Sequence, residues 1–416
     1  MKRIFRAIST PTARSTAIFY FGNFGLSVFR YFFHLILLRF LAPAEYGEFL
    51  SYLSLTYLLG IPTGTIATVI TKYVAEFKGK GDKTSINLFF HYLIRTVTPV
   101  AVFLGLALIL LSGPLSFIFK AHSLAFIVLG ISVFISLYQT IIGSYLVAYQ
   151  KFVFQTVLGL VSILLTIVFS ILFIKFGFGA TGAVIGQLLG SVVTSVIIFL
   201  NIRPSVYPKI VTKNSPHFSL GGFMGYSFIY ALGTMSLIST DVLMVRAMFN
   251  PHLSGIYSSL SILGRMILFG LTPLISLVLP MASHRQSASG SAKTILIKLG
   301  SVTVIFGIIG AGIFSLFPAL IIRILSGVAY LEAAPFLSIF SFTMVFLALS
   351  QFLIAYLMAT GRPRANLFLL AATVVQPLLF YVFRSSFTLV IWSNFAIQFF
   401  LASSLLFFLF SRTNNQ

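Results

Sequence analysis

Long apolar runs, separated by short polar connections, extend through almost the whole chain. The runs are continuous over roughly 20 residues or more, enough for a helix to cross a bilayer, whereas barrel strands alternate apolar and polar residues over about 10 positions. The pattern therefore predicts about twelve transmembrane helices. We place these spans 1 to 12 at residues 16–41, 46–70, 87–112, 122–148, 153–175, 178–200, 222–249, 255–282, 294–318, 333–359, 365–383 and 387–410.

The composition favours the same class of protein. Hydrophobic residues make up 58% of the 416 positions, charged residues make up 8%, and the mean hydropathy is +1.06. A soluble domain could not cover so much apolar surface with so few charged side chains. Because only helices and closed barrels satisfy the backbone in lipid, we predict an all-α integral membrane protein. Cysteine is absent, which excludes disulfides and thiolate chemistry.

The basic residues fall mainly on one side of the predicted membrane. If the N-terminus is cytoplasmic, eighteen Lys and Arg lie in inner loops and termini and six lie on the opposite side. This bias predicts that both termini are cytoplasmic. It also accounts for most of the net charge of +21 without a nucleic-acid partner. The six outer residues are Arg39, Lys120, Lys175, Arg246, Arg323 and Arg384.

The chain reads as two halves joined by a basic, proline-rich segment. Residues 201–219 predict a cytoplasmic linker between an N-terminal six-helix bundle, 1–200, and a C-terminal six-helix bundle, 220–416. A short pattern recurs in both halves: Pro43 and Gly47 correspond to Pro251 and Gly255, each at a step of 208 residues. Internal repeats of this kind are typical of secondary transporters.

Several segments resemble one transporter family. The sequence RFLAPAEYG at 39–47 is similar to the R-x-L-x-P-x-x-Y/F-G connection of the polysaccharide-transporter branch of the multidrug/oligosaccharidyl-lipid/polysaccharide (MOP) exporter superfamily. Residues 71–75, 148–151, 179–183 and 359–362 continue the resemblance in the same order. It implies two six-helix bundles around a central cavity, rocking between inward- and outward-open states in a bacterial inner membrane. The branch includes O-antigen (Wzx-type) flippases for lipid-linked oligosaccharides.

A few ionisable residues fall within the predicted spans, where a charge is costly and usually faces a polar interior. They are Arg30 and His34 in span 1, Asp241 in span 7 and Arg265 in span 8. Each continues a polar stripe at helical spacing, which suggests a shared polar lumen. The alternatives are a packing ion pair of Asp241 with Arg265 or Arg246, a structural Arg30 and a core His34. The stripes comprise Asn23, Ser27, Arg30 and His34; Tyr226, Tyr230, Thr234 and Asp241; and Tyr257, Ser261, Arg265, Thr272 and Ser276.

The candidate site follows from these stripes and from the resemblance. Arginine suits a phosphate because its planar fork donates two charge-assisted hydrogen bonds and stays protonated, and the resemblance implies cavity arginines on helices 1 and 8. Asp241 and His34 are the candidates for ion coupling, and Arg39 and Arg246 for the cavity mouth. Glu45 and Glu48 are expected in a solvated outer loop. The predicted substrate-binding residues are Arg30, Arg265, His34, Asn23, Tyr226, Tyr257 and Gln139.

The leading hypothesis is a flippase that moves undecaprenyl-diphosphate-linked oligosaccharide from the inner to the outer leaflet. Other membrane proteins of polysaccharide assembly are expected partners, and no cofactor, metal or catalytic residue is expected; the sequence also lacks a Gly-x4-Gly-Lys-Ser/Thr nucleotide loop. One alternative is a multidrug antiporter of the same superfamily, although its cationic drugs would require acidic cavity residues. Another is a membrane polysaccharide polymerase or glycosyltransferase, which would require a catalytic base or a carboxylate cluster.

Overall fold

The computed structural model describes residues 11–206, 223–287 and 293–411, and its regular elements there are all helices. Of the predicted linker 201–219, residues 201–206 continue a helix and the remainder lies outside the described residues. The helices are α1 (Pro11–Phe40), α2 (Pro43–Leu59), α3 (Ile61–Gly79), α4 (Lys83–Leu110), α5 (Ser112–Phe119), α6 (Ser123–Ala148), α7 (Phe152–Phe173), α8 (Gly179–Val206), α9 (Phe223–Met248), α10 (Pro251–Ser287), α11 (Lys293–Leu316), α12 (Pro318–Leu325), α13 (Ala334–Ala359), α14 (Asn366–Val382) and α15 (Phe387–Ser411).

The helices confirm an all-α, multi-pass membrane protein. By length and apolar composition, the described residues contain nine runs able to cross a membrane, or up to ten if the bent pair α2 and α3 is one span. One of the nine, Phe152–Asn201, holds two helices, α7 and α8, joined by a π-helical turn at Ile174–Phe178. Gly177 lies in that turn with φ of 87°, outside the helical region. With α1, every one of the twelve predicted spans corresponds to helical structure.

The structure differs from the predicted spans at three points. Span 2 is two helices that meet at Gly60, because Gly60 and the following Pro62 weaken the helical hydrogen bonding there. Two short helices, α5 and α12, occupy stretches where the sequence suggested only connections. Both are rich in apolar residues but have only eight positions, too few for a periodic pattern to distinguish them from the adjoining spans.

The chain forms two compact units. One contains Met1–Phe40 and Leu59–Met224, and the other contains Leu41–Leu58 and Gly225–Gln416. Helix α2, which the sequence places in the N-terminal bundle 1–200, is therefore grouped with the C-terminal half of the chain.

In the first unit, α7 and α8 pack tightly through small residues. Gly182, Gly186 and Gly190 recur every four positions along α8 and so form one face. A methyl group on Gly186 would overlap Ser170, and one on Gly190 would lie 2.5 Å from Thr166 Oγ1. The Ser170 hydroxyl also donates to the carbonyl of Ala183, at 3.1 Å. Such stripes let membrane helices approach closely where no hydrophobic effect drives them together.

In the second unit, α2 crosses α10 at the glycines of the internal repeat. A Cβ on Gly47 would lie 2.7 Å from the amide nitrogen of Gly255, and one on Gly255 would overlap the carbonyl of Pro43. Nearby, the Tyr330 hydroxyl donates to the carbonyl of Leu41 at 3.1 Å, and its ring meets that of Tyr46 edge-on. The residues related by the repeat thus contact each other, and they hold α2 in the C-terminal unit.

Candidate functional site

The interior of the C-terminal unit holds an ion pair. Arg265 on α10 is 1% exposed and its Nη2 lies 3.7 Å from Oδ1 of the fully buried Asp241 on α9. The same guanidinium donates to the carbonyl of Ile238, one turn before Asp241. Of the two partners that the sequence left open for Asp241, the structure selects Arg265. Because each ion would be costly alone in an apolar interior, the pair explains how both are tolerated within spans.

Hydrogen bonds extend this pair across four helices. Tyr257 donates its hydroxyl to Asp241 Oδ2 at 3.1 Å and accepts from Asn394 Nδ2 at 3.1 Å. Asn394 Oδ1 in turn accepts from Gln376 Nε2 at 3.1 Å. We call Asp241, Arg265, Tyr257, Asn394 and Gln376 the buried polar network. It links α9, α10, α14 and α15.

The sequence pattern does not predict a role for the two amide side chains of this network, Gln376 and Asn394. Gln376 and Asn394 lie in strongly apolar spans, outside the three polar stripes of spans 1, 7 and 8. The available signal was Gln398, which follows Asn394 by one helical turn and is also buried. Both side-chain polar atoms of Gln398, together with Arg265 Nε and Gln376 Oε1, lack a hydrogen-bond partner among the described residues. The interior of this unit is therefore more polar than its hydropathy indicates.

A second buried pair joins α9 to α2. Arg246, predicted at a cavity mouth, is 1% exposed and donates from Nη1 to the carbonyl of Ala44 at 2.9 Å. Its Nη2 lies 3.8 Å from Glu48 Oε2, and Glu48 also accepts from the Tyr52 hydroxyl. The expectation that Glu48 is solvated in an outer loop is wrong. Glu48 lies inside α2 and is buried, because this helix packs against the C-terminal half of the chain and places the carboxylate beside Arg246.

The N-terminal unit presents a different charge pattern. Arg30, near the middle of α1, is exposed, as are Ser27 and Arg39 on the same helix. His34 is buried beside the rings of Tyr31 and Phe33, at centroid distances of 6.5 and 6.0 Å. The side chains of Asn23 and Tyr226 lie outside the described residues.

Gln139 holds two helices of this unit together. Its Nε2 donates to the carbonyl of Ser191 and to the hydroxyl of Ser195, both at 2.8 Å. These bonds join α6 to α8, so the amide nitrogen predicted for sugar binding has a packing role in this structure.

Each of the six acidic residues is engaged. Besides Asp241 and Glu48, Glu45 accepts from the amide of Ala42 at 3.0 Å, and Glu332 pairs with His252 at 3.0 Å. In the connection before α4, Lys80 pairs with Glu76 at 2.6 Å, and this hydrogen bond raises the pKa of the lysine. Hydrogen bonds from Ser85 lower the pKa of Asp82. No group of three or more His, Asp or Glu in the described residues could hold a metal ion.

Comparison with solved structures identifies the architecture. An inward-facing multidrug resistance MATE family transporter of the MOP superfamily superimposes with a TM-score of 0.74 at 14% identity, over 91% of this chain and 93% of that one. The chain has the fold of this solved structure. The lipid II flippase MurJ, in an inward closed conformation, has the same fold, with a TM-score of 0.71 at 14% identity, over 94% of this chain and 87% of that one.

A further MOP structure is a transporter from Pyrococcus furiosus, described as having a binding pocket of reverse polarity. It gives a TM-score of 0.61 at 17% identity, over 95% of this chain and 94% of that one. No protein-family model matches the chain, and no curated protein sequence matches it.

Proposed function

We propose that this MOP-fold protein is a flippase that moves undecaprenyl-diphosphate-linked oligosaccharide across the bacterial inner membrane by alternating access. The observation that carries the proposal is the charge balance inside the spans. Each of the six Asp and Glu side chains is engaged, and Asp241, within span 7, is buried against Arg265. Arg30 is exposed in the middle of α1, and none of the described carboxylates pairs with it. The accessible charge within the spans is therefore positive.

A positive site within the membrane favours an anionic substrate. An exposed guanidinium at mid-span is costly unless it faces water or an anion. The diphosphate of a lipid-linked sugar must leave water when its headgroup crosses the bilayer, and the arginine fork supplies bidentate hydrogen bonds for that passage. MurJ, which has the same fold, is named as a flippase of lipid II.

The other predicted site residues take different parts in this proposal. Arg30 and the exposed Arg39 on α1 would meet the diphosphate. Arg265, Arg246 and Tyr257 are buried with protein partners, so contact with substrate requires them to exchange those partners during transport. Asp241 and His34 stay the proposed residues for ion coupling, and Asn23, Tyr226 and Gln139 for the sugar. Membrane proteins that make and polymerise the repeat unit are the proposed partners.

Transport in proteoliposomes tests the proposal. We would measure translocation of a fluorescent lipid-diphosphate oligosaccharide with wild type, Arg30→Lys, Arg30→Gln and the matched control Arg384→Gln, an exposed arginine outside the spans. We expect Arg30→Gln to lose most transport, Arg30→Lys to retain part of it because the charge remains, and Arg384→Gln to match wild type. Equal transport by wild type and Arg30→Gln would contradict the role of Arg30.

The competing function is multidrug antiport, the activity named for the MATE neighbours. It calls for a carboxylate that can bind a cationic drug, and each of the six Asp and Glu side chains already has a partner. Uptake of a cationic dye into the same proteoliposomes distinguishes the two functions. Transport of the dye without transport of the lipid would overturn the proposed flippase function. A polymerase or glycosyltransferase would instead extend or transfer the sugar, which chromatography of the recovered lipid would detect.

A further inference from the structure

Two short helices occupy corresponding places in the two halves of the chain. Helix α5, Ser112–Phe119, follows α4, and helix α12, Pro318–Leu325, follows α11; α4 and α11 are the third and ninth predicted spans. Each short helix has eight residues, about 12 Å at the usual rise, so it cannot cross a membrane. The halves thus repeat a helix that has no spanning role.

Both helices expose large apolar side chains. On α5, Phe117 is 87% exposed and Ile118 is also exposed. On α12, Leu320 and Ile324, one turn apart, are exposed while Ile322 points inward and is buried. In water such faces would be unfavourable, and in a monomeric protein they mark a contact with another apolar phase.

The exposed faces continue the apolar surface of the adjoining spans. Along α4 this surface runs through Phe103 and Leu106 to Leu110, which is 78% exposed. Along α11 it runs through Ile309 and Ile313 to Leu316, 74% exposed. Since these long apolar helices lie in lipid, the surface that extends from them onto α5 and α12 meets the same bilayer at its boundary.

Both helices carry a basic residue at the C-terminal end, as is favourable at the depth where lipid phosphates lie. Lys120 ends α5 in a left-handed conformation, with φ of 47°, and Arg323 lies in the last turn of α12; both are exposed. Neither helix contains an acidic residue. The ends are held in place, since the amide of Ala121 donates to the carbonyl of Ser116 at 3.0 Å and Ser259 donates to the Ser326 hydroxyl at 2.9 Å.

We propose that α5 and α12 are interfacial anchors that lie in the boundary between lipid headgroups and acyl chains. Their apolar faces enter the acyl region, and Lys120 and Arg323 bind lipid phosphates, as a cationic side chain does when its apolar stem lies along the interface. The predicted orientation of the chain places both in the outer leaflet. The anchors fix the level at which the third and ninth spans leave the hydrocarbon, whatever the transported substrate is.

The absence of cysteine makes the test direct. Phe117→Cys and Ile324→Cys would each carry a nitroxide label in the full chain, reconstituted in vesicles of phosphatidylcholine and phosphatidylglycerol. The depth of each label is read from collisions with oxygen, which enriches in the bilayer, and with a water-soluble nickel chelate. Ile309→Cys, on the lipid-facing surface of α11, gives the deep control, and Lys80→Cys, in an exposed connection, gives the aqueous control.

We expect both labels to report a depth between the two controls, and to move towards water when Lys120→Gln or Arg323→Gln is added on the same helix. Labels as accessible to the nickel chelate as Lys80→Cys would overturn the proposal, since the helices would then stand in water. Labels shielded from both collision partners would also overturn it, because a protein surface, such as a second copy of the chain, would cover the helices. Unchanged depth in the glutamine variants would refute the phosphate contacts.

Discussion

A guanidinium that is buried away from water inside a membrane bundle needs a compensating partner, and Arg265 has Asp241. Removing one member of such a pair leaves the other buried and uncompensated, which typically costs about 3–5 kcal/mol, whereas removing both can be nearly neutral. We therefore expect Arg265→Met to lower the stability of the purified protein strongly, and Asp241→Asn combined with Arg265→Met to restore much of it. Thermal unfolding in detergent, followed by fluorescence-detected gel filtration, measures both effects.

The exposed Arg30 supplies the matched control for this pair. Arg30→Met also removes one mid-span arginine, but the side chain is exposed and has no carboxylate partner in the described part of the chain. Its unfolding temperature should stay close to that of wild type. If the double variant at Asp241 and Arg265 were as unstable as Arg265→Met alone, the ion pair would not be the reason for the loss.

Outside the membrane, Asp82 is another charged side chain that its neighbours stabilise. Its Oδ1 accepts from the amide of Ser85 at 2.9 Å and its Oδ2 accepts from the Ser85 hydroxyl at 2.6 Å, so it caps α4. These bonds favour the carboxylate and lower its pKa. The cap is therefore complete above the ordinary pKa of aspartate and is lost as the pH falls through the lowered value.

We expect Asp82→Ala to speed hydrogen exchange at the first turn of α4 at neutral pH, after correction for intrinsic rates. The difference from wild type should disappear as the pH falls below the lowered pKa of Asp82, because the wild-type side chain is then neutral as well. Exchange measured by mass spectrometry on the peptide that begins α4 gives both results. A difference that persists unchanged in acid would show that the charge of Asp82 does not make the cap.

At the scale of elements, the α7–α8 hairpin depends on the absence of side chains along one face of α8. We expect Gly186→Val to destabilise the protein by about 1–3 kcal/mol or more. The new side chain would overlap Ser170, and tightly packed helices cannot move far enough apart to make room for it. Gly143→Val in α6 is the control, since a Cβ there meets nothing within 4 Å. Thermal unfolding of the two variants decides; equal losses would mean that the helix substitution itself, rather than the close packing, is responsible.

Hydropathy predicted the helices well because each span needs only length and apolar character, and both are local. The break at Gly60 and the short helices α5 and α12 depend on a few residues whose effect on the backbone is decided by their surroundings. The buried polar network was predicted in part: Asp241, Arg265 and Tyr257 lie on visible stripes, but Gln376 and Asn394 acquire their role only when α14 and α15 pack against α9 and α10. The burial of Glu48 was missed because it depends on Arg246, some 200 positions away in the chain.

At the scale of the whole molecule, the division into two units does not follow the order of the helices along the chain. Helix α2 comes second in sequence but belongs to the unit formed with Gly225–Gln416. Three contacts support this assignment: the close crossing of Gly47 and Gly255, the hydrogen bond from Arg246 to the carbonyl of Ala44, and the hydrogen bond from Tyr330 to the carbonyl of Leu41. Without α2, the C-terminal helices would expose the buried guanidinium of Arg246 and the face of α10 around Gly255.

A divided chain tests this dependence. We expect residues 223–416, expressed alone, to be unstable in detergent, because the partners of Arg246 and Gly255 lie in the missing segment. Co-expression with residues 1–206 should rescue the fragment, because that piece supplies α2.

Two glycine variants of the 1–206 fragment test whether the close crossing is the cause. Gly47→Leu should abolish the rescue, since the side chain would meet the backbone of Gly255. Gly64→Leu should preserve it, because a Cβ on that glycine meets nothing within 4 Å. Recovery of a monodisperse complex by affinity purification measures rescue. A stable 223–416 fragment that needs no partner would show that α2 only rests on this unit and does not complete it.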